Sequence, residues 1–176
     1  IKFMPIFMLD LLRLSPDKVQ IVYTASPLMI VGATIALQRL SKTLGRAWAT
    51  VLAKSIGTSL LLVLSYQAHL YILHSREWEQ GRGQHPWYCS VPSILAVFLV
   101  RTVVMNTTKP LTRSIIMDAV PKEQRGRWQG LESINDATWA GSAVLGGILI
   151  DRYGFVGVFV TTAFMQMCSM LPIIWI

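Results

Sequence analysis

The run FVGVFVTTAFMQMCSMLPIIWI, residues 155–176, contains 22 residues without a charged side chain. Residues 19–37 form a second uncharged run of 19 residues. A helix needs roughly 20 predominantly apolar residues to cross the hydrocarbon core of a bilayer, so each run is long enough to span a membrane. These two runs predict an integral membrane protein.

The composition of the whole chain supports a membrane protein over a soluble domain. Of the 176 residues, 53% are apolar and only 14% are charged, whereas a soluble domain carries ~25% charged residues. The charges gather in short clusters between apolar stretches, and a soluble fold would therefore need several all-apolar helices in succession. The net charge of +7 is typical of basic loops on the non-translocated side of a membrane, and we expect no nucleic-acid partner.

Polar breaks between the apolar runs predict one all-α domain over residues 1–176, a polytopic membrane bundle of about six transmembrane helices. Ser15, Pro16 and Asp17 indicate a helix start, because they supply an N-cap, a first-turn proline and an acid favoured by the helix dipole. The first helix is too short to span, and we interpret it as truncated, with its beginning before residue 1. The predicted helices cover residues 1–14, 18–40, 47–73, 91–117, 128–150 and 155–176.

The basic residues also predict the orientation. An excess of lysine and arginine in short loops marks the cytoplasmic side or its organellar equivalent. The segments at and beside the loops after the second and fourth predicted helices contain two acids, Asp118 and Glu123, and these basic residues: Arg39, Lys42, Arg46, Lys122, Arg125 and Arg127. We therefore expect a multi-pass protein with these two loops in the cytoplasm; whether the membrane is the plasma membrane or an organellar one stays open.

Three stretches resemble the major facilitator superfamily of transporters. Residues 38–46, QRLSKTLGR, resemble a cytoplasmic signature of that family. The strongest match is PLTRSIIMDAVPKEQRGR, residues 110–127, which resembles the end of the fourth helix of a half and the loop after it. GSAVLGG, residues 141–147, resembles the glycine-rich fifth helix, with Ser142 and Ala143 in place of the Gly-Pro of antiporters. The resemblance implies the C-terminal half of a transporter, helices seven to twelve.

This resemblance implies a function and two groups of residues. The function is secondary transport of a small solute across a bilayer by alternating access, either with or without proton coupling. The N-terminal half would be supplied by the same chain or by a partner subunit. Gly141, Gly146 and Gly147 would pack helices closely. The candidates for a cytoplasmic gating loop are Arg39, Lys42, Gly45, Arg46, Asp118, Arg125 and Arg127.

Polar residues inside the fourth and fifth predicted helices are the candidates for a solute or coupling site. Ionisable groups at membrane depth are costly, so they usually pair or line a watery cavity. Helical spacing puts Arg101, Thr108 and Thr112 on one face of the fourth helix, where Pro110 predicts a kink. The same spacing puts Glu132 and Asp136 on one face of the fifth helix, with Trp139 close by.

These residues allow two interpretations. In the functional one, Arg101 meets the substrate or a carboxylate in a polar cavity, while Glu132 or Asp136 binds a proton or a cation. In the structural one, Glu132, Lys109 and Arg113 lie nearer the cytoplasmic interface and form a charge cluster. The sequence leaves both open.

Other function classes find little support in the sequence. There is no phosphate-binding glycine loop after a strand and no nucleophile-base pattern, so we expect no enzyme and no cofactor. His69, His74 and His85 are scattered, and we expect no metal site. The alternative to a transporter is an accessory transmembrane subunit packed in a larger respiratory or photosynthetic complex, where other membrane subunits would cover its surface.

Overall fold

The computed structural model describes residues 3–79 and 86–170. Within these ranges it describes only the backbone, and not the side chains, of residues 76–79, 119, 129, 131–132, 135–140 and 143. Within these ranges the chain forms helices and no strand. Short 3₁₀ turns at Trp87–Cys89 and Lys122–Gln124 precede the last two long helices. The helices are α1 (Met4–Ile6, continued by a π-helical turn at Phe7–Leu11), α2 (Pro16–Leu44), α3 (Arg46–Glu79), α4 (Val91–Ala119) and α5 (Arg125–Cys168).

Four helical stretches in the described ranges are long and apolar enough to cross a membrane: Pro16–Leu44, Arg46–Ser75, Val91–Asp118 and Val144–Cys168. Their outward side chains are apolar, as Leu28 at 76% exposure and Phe164 at 67% illustrate. Large apolar side chains this exposed match a hydrocarbon surrounding and not water. The prediction of an all-α polytopic membrane bundle is therefore confirmed.

The predicted fifth and sixth helices meet without a separate turn. The sequence places a short connection at residues 151–154, but residues 151–153 are helical, and α5 is broken only at Gly154, with φ 67° and ψ −175°. Residues other than glycine almost never adopt this backbone conformation. One glycine is thus enough to join a first arm, residues 125–153, to a second arm, residues 155–168.

A single glycine also connects α2 to α3. Gly45 has φ 84° and ψ 149°, again in the region that only glycine occupies readily. At the other end of α2, Ser15 has the extended backbone of an N-cap, and Pro16 and Asp17 fill the first turn as predicted. The Ser15 hydroxyl makes no capping hydrogen bond, and the first turn is closed by the Ser15 carbonyl, which accepts from the Lys18 and Val19 amides.

Contacts along α3 and α4 fix their relative direction. The pairs, in order along α3, are Arg46 with Ser114, Gly57 with Met105 and Gln67 with Ser93. Positions that increase along α3 meet positions that decrease along α4, so the two helices are antiparallel. Tyr23 near the start of α2 packs against Phe98 near the start of α4, with ring centroids 6.0 Å apart. Therefore α2 and α4 are parallel, and both end beside the start of α3.

The apolar core lies toward the opposite end of the bundle from Arg46. The ring of Phe7 meets the rings of Phe155 and Phe159 edge to face, with centroids 5.4 and 5.6 Å apart. Such aromatic pairs contribute ~0.5–1.5 kcal/mol beyond simple burial. These contacts hold the N-terminal segment against the second arm of α5. The core also contains Met4, Met8, Leu61, Leu64, Ile94 and Phe98.

Candidate functional site

Arg101 lies near the middle of α4 and is turned into the bundle. Its side chain is only 5% exposed, and its Nε atom is buried without a hydrogen-bond acceptor. Among the residues that the structure describes, no hydrogen bond or ion pair of Arg101 is seen. Removing a charge from water costs several kcal/mol unless a counter-charge replaces the water. Within the described residues, Arg101 is thus a buried cation without a counter-charge.

The two threonines predicted to share the Arg101 face do share it, but at a distance. Thr108 is 3% exposed, and its hydroxyl donates to the Met105 carbonyl at 2.8 Å. The hydroxyl of Thr112 is buried without a partner in the described part of the chain. With a rise of ~1.5 Å per residue, these threonines lie ~10 and ~16 Å along the axis from Arg101. One small solute would not touch all three.

The acidic candidates lie on the first arm of α5. The structure gives the helical backbone at Glu132, Asp136 and Trp139, while their side chains lie outside the described residues. Lys109 and Arg113, the basic residues of the charge-cluster interpretation, are both exposed on α4. Neither interpretation of the acidic residues is tested by these observations.

The predicted gating residues come together at the basic end of the bundle. The Arg46 Nη2 atom lies 2.5 Å from the Asp118 carboxylate, and Nη1 donates to the Ser114 hydroxyl at 2.5 Å. Arg125 donates to the Met117 carbonyl at 3.2 Å. One arginine thus ties the turn after α2 to the end of α4. Both partners of the ion pair are about half exposed, at 48% and 60%, so solvent limits its contribution to less than ~1 kcal/mol.

The remaining gating candidates are solvent-facing. Arg39, Lys42 and Arg127 are exposed, and in the ranges the structure covers they show no hydrogen bond or ion pair. Gly45 supplies the sharp turn that aims Arg46 at α4. Four of the seven candidates, Gly45, Arg46, Asp118 and Arg125, therefore build the contact, and the other three are exposed cations on α2 and α5.

Of the three glycines predicted to pack helices, one lies against a neighbour. Gly146 is buried beneath the ring of Phe3, which leaves no room for a Cβ atom. Gly141 and Gly147 have open space around them as far as the described residues extend. A close packing role for these two stays a prediction.

A second polar face on α4 was not predicted from the sequence. Thr102, Asn106, Lys109 and Arg113 follow at intervals of four, three and four residues, which puts them on one side of the helix. The Asn106 amide donates to the Thr102 carbonyl at 2.8 Å. The signal that could have revealed this face is the helical spacing of polar residues inside an apolar span.

An all-helical bundle with apolar outer surfaces and a cation buried at mid-span is typical of multi-pass membrane transport proteins. The family model of the Major Facilitator Superfamily matches residues 2–176. The chain therefore belongs to this superfamily, whose members are transporters and not enzymes, and the resemblance seen in the sequence is confirmed. Neither a curated protein nor a solved structure gives a significant match.

Proposed function

We propose that this chain forms the C-terminal half of a secondary transporter that moves a small solute by alternating access. In such transporters the two halves are related by an axis along the membrane normal, and the solute binds near the midplane between them. The N-terminal half would come from the same polypeptide or from a partner subunit. Family membership supports the transport activity, and the buried charge of Arg101 supports the mechanism.

The buried guanidinium of Arg101, which has no partner among the residues that the structure describes, carries this proposal. A charge buried at bilayer depth needs a counter-charge in at least part of the transport cycle. The candidates on this chain are Glu132 and Asp136 of α5, and the alternative is a negatively charged group of the solute. When the transporter is loaded, Arg101 would pair with the solute, and when it is empty, Arg101 would pair with a carboxylate. The charge of Arg101 is then compensated in both states.

This exchange of partners gives a route to proton coupling. A carboxylate beside Arg101 is held in its charged form, because the nearby positive charge favours ionisation. When Arg101 turns to the solute, the carboxylate loses that support and takes up a proton. Asp136 is our preferred carrier of the proton, with Glu132 as the second candidate.

The ion pair between Arg46 and Asp118 serves in this proposal as a latch at the cytoplasmic end. A contact worth less than ~1 kcal/mol can open and re-form within a transport cycle. Because Arg46 begins α3 and Asp118 lies near the end of α4, opening the pair frees the ends of these helices to separate.

The first experiment replaces Arg101 in the full-length protein with alanine and with lysine and measures solute uptake after correction for surface expression. Lysine keeps the charge but loses the planar fork of hydrogen-bond donors. We expect Arg101→Ala to abolish uptake and Arg101→Lys to retain a reduced rate. Arg152→Ala, at an exposed arginine on α5, is the matched control. Normal uptake by both Arg101 variants would remove this residue from the mechanism.

The second experiment measures uptake against pH in Asp136→Asn and Glu132→Gln. The amide side chains cannot carry a proton on and off, so the variant at the coupling position should lose its pH dependence while still exchanging solute. A pH dependence that persists in both variants would contradict the coupling role.

A further inference from the structure

The second polar face of α4, called here the polar stripe, consists of Thr102, Asn106, Lys109 and Arg113. It extends over twelve residues, or ~16 Å of helix, from mid-span to the end that carries the latch. Its inner residues Thr102 and Asn106 are partly exposed, and its outer residues Lys109 and Arg113 are exposed. The stripe thus leads from the basic end of the bundle to the position next to Arg101.

The stripe is polar only on one side of mid-span. Continuing the same helical face toward the start of α4 reaches Leu99 and Leu95, which pack against the apolar core. A polar surface that ends against an apolar one at mid-span has the form of a vestibule that is open at one end of the bundle and closed at the other.

Two polar groups on this face lack their usual hydrogen bonds. Pro110 lies inside α4 and has no N–H group, so the carbonyl of Asn106 four residues earlier loses its helical hydrogen bond. The Thr102 hydroxyl is also buried without a partner in the described part of the structure. Polar groups of this kind are tolerated at membrane depth only inside protein or beside a water-filled cavity.

Apart from Asp118 in its last turn, α4 carries only positive charges. Between Val91 and Met117 the helix contains Arg101, Lys109 and Arg113 and no acidic residue. Two of these cations lie on the stripe, and the third lies buried beside its inner end. Positive charges on the walls of a narrow aqueous space attract anions and repel cations.

We propose that the polar stripe lines a water-filled vestibule open at the latch end, and that its positive charge selects anionic solutes such as carboxylates or phosphate esters. The inference rests on the proposed transport function and names the class of its substrate. The partly exposed Asn106 offers hydrogen bonds to the solute, and Lys109 and Arg113 draw it in.

The opposing explanation is that Lys109 and Arg113 extend along the lipid surface to anionic headgroups. It accounts for the two cations but leaves the Asn106 side chain and its orphaned carbonyl against hydrocarbon, which is costly. Access of a water-soluble reagent to residue 106 decides between the two.

The test introduces Asn106→Cys in a full-length background in which Cys89 and Cys168 are replaced by alanine and serine. Sealed vesicles of known orientation are treated with membrane-impermeant methanethiosulfonate reagents, one negatively and one positively charged, and rates are normalised to a free thiol. Val100→Cys is the matched control, because Val100 lies on the same helix, is 46% exposed and is apolar.

We expect the cysteine at position 106 to react from the latch side, faster with the anionic reagent, and the cysteine at position 100 to be inert. By Coulomb's law in water, one charge ~6 Å away changes the reaction rate of each charged reagent about threefold, in opposite directions for the two reagents. Lys109→Gln should therefore lower the ratio of the anionic reagent's rate to the cationic reagent's rate about tenfold. No reaction at position 106 would overturn the vestibule and favour the lipid explanation. A ratio that Lys109→Gln leaves unchanged would overturn the selection of anions.

Labelling requires no transport, so the two proposals fail separately. Uptake in a protein whose residue 106 is inaccessible would contradict the vestibule alone. An accessible residue 106 in a protein that moves no solute, with both halves present, would contradict the transport function alone.

Discussion

Replacement of Gly45 by alanine tests whether the turn between α2 and α3 depends on backbone conformation alone. An added Cβ atom would meet nothing within 4 Å, so no steric clash contributes. The φ of 84° and ψ of 149° are the sole obstacle, and such a conformation costs about 1–3 kcal/mol for a residue other than glycine. At roughly 2–4 °C per kcal/mol for a domain of this size, Gly45→Ala should lower the melting temperature by about 2–12 °C.

The assay heats the purified protein in one detergent and measures, at each temperature, the fraction of protein that stays monodisperse. Gly32→Ala is the control, because an added Cβ there also meets open space but the position lies inside α2. Alanine is a better helix former than glycine by ~1 kcal/mol, so this control should melt at the same temperature or slightly higher. If Gly45→Ala melts no lower than Gly32→Ala, the turn is not held in the conformation described and the reasoning is wrong.

Three further predictions concern packing and charge. Asp118→Asn should lower stability by less than ~1 kcal/mol, and the difference from wild type should shrink at high salt because the ion pair is exposed and screened. Phe159→Ala empties a fully buried site and should cost ~3–5 kcal/mol, whereas Phe164→Ala, at a side chain 67% exposed, should change the melting temperature little. Gly57→Ala places a Cβ atom 2.7 Å from the Met105 Cγ atom and should cost ~1–3 kcal/mol by overpacking, and Met105→Ala in the same protein should recover part of that loss.

The sequence was informative wherever a single local property decides the outcome. Hydrophobic length revealed the membrane spans, because hydrocarbon tolerates no exposed backbone and few charges. Ser15, Pro16 and Asp17 marked the start of α2 through the chemistry of a helix end. The break at Gly154 was harder to interpret, because a glycine can end a helix or bend it, and only the conformation of its neighbours distinguishes the two.

The arrangement of the candidate site was harder to predict from the sequence. Helical spacing correctly grouped Arg101 with Thr108, but spacing alone does not say which face turns inward, and this face is buried in the bundle. The neighbouring face with Asn106 was missed, because the spacing of its polar residues indicates a shared side of the helix but not whether that side meets lipid or a cavity. The contact of Arg46 with Asp118 joins residues 72 positions apart, which local patterns do not reveal. The packing-subunit alternative remains an untested prediction.

The connection of α2 to α3 through one residue has a mechanical consequence. A linker this short leaves no slack, so neither helix can slide along the other by a full turn without unwinding its own end. Any displacement of the end of α2 must therefore carry the start of α3 with it. Reporter groups attached to the two helices beside this junction would then record a single motion.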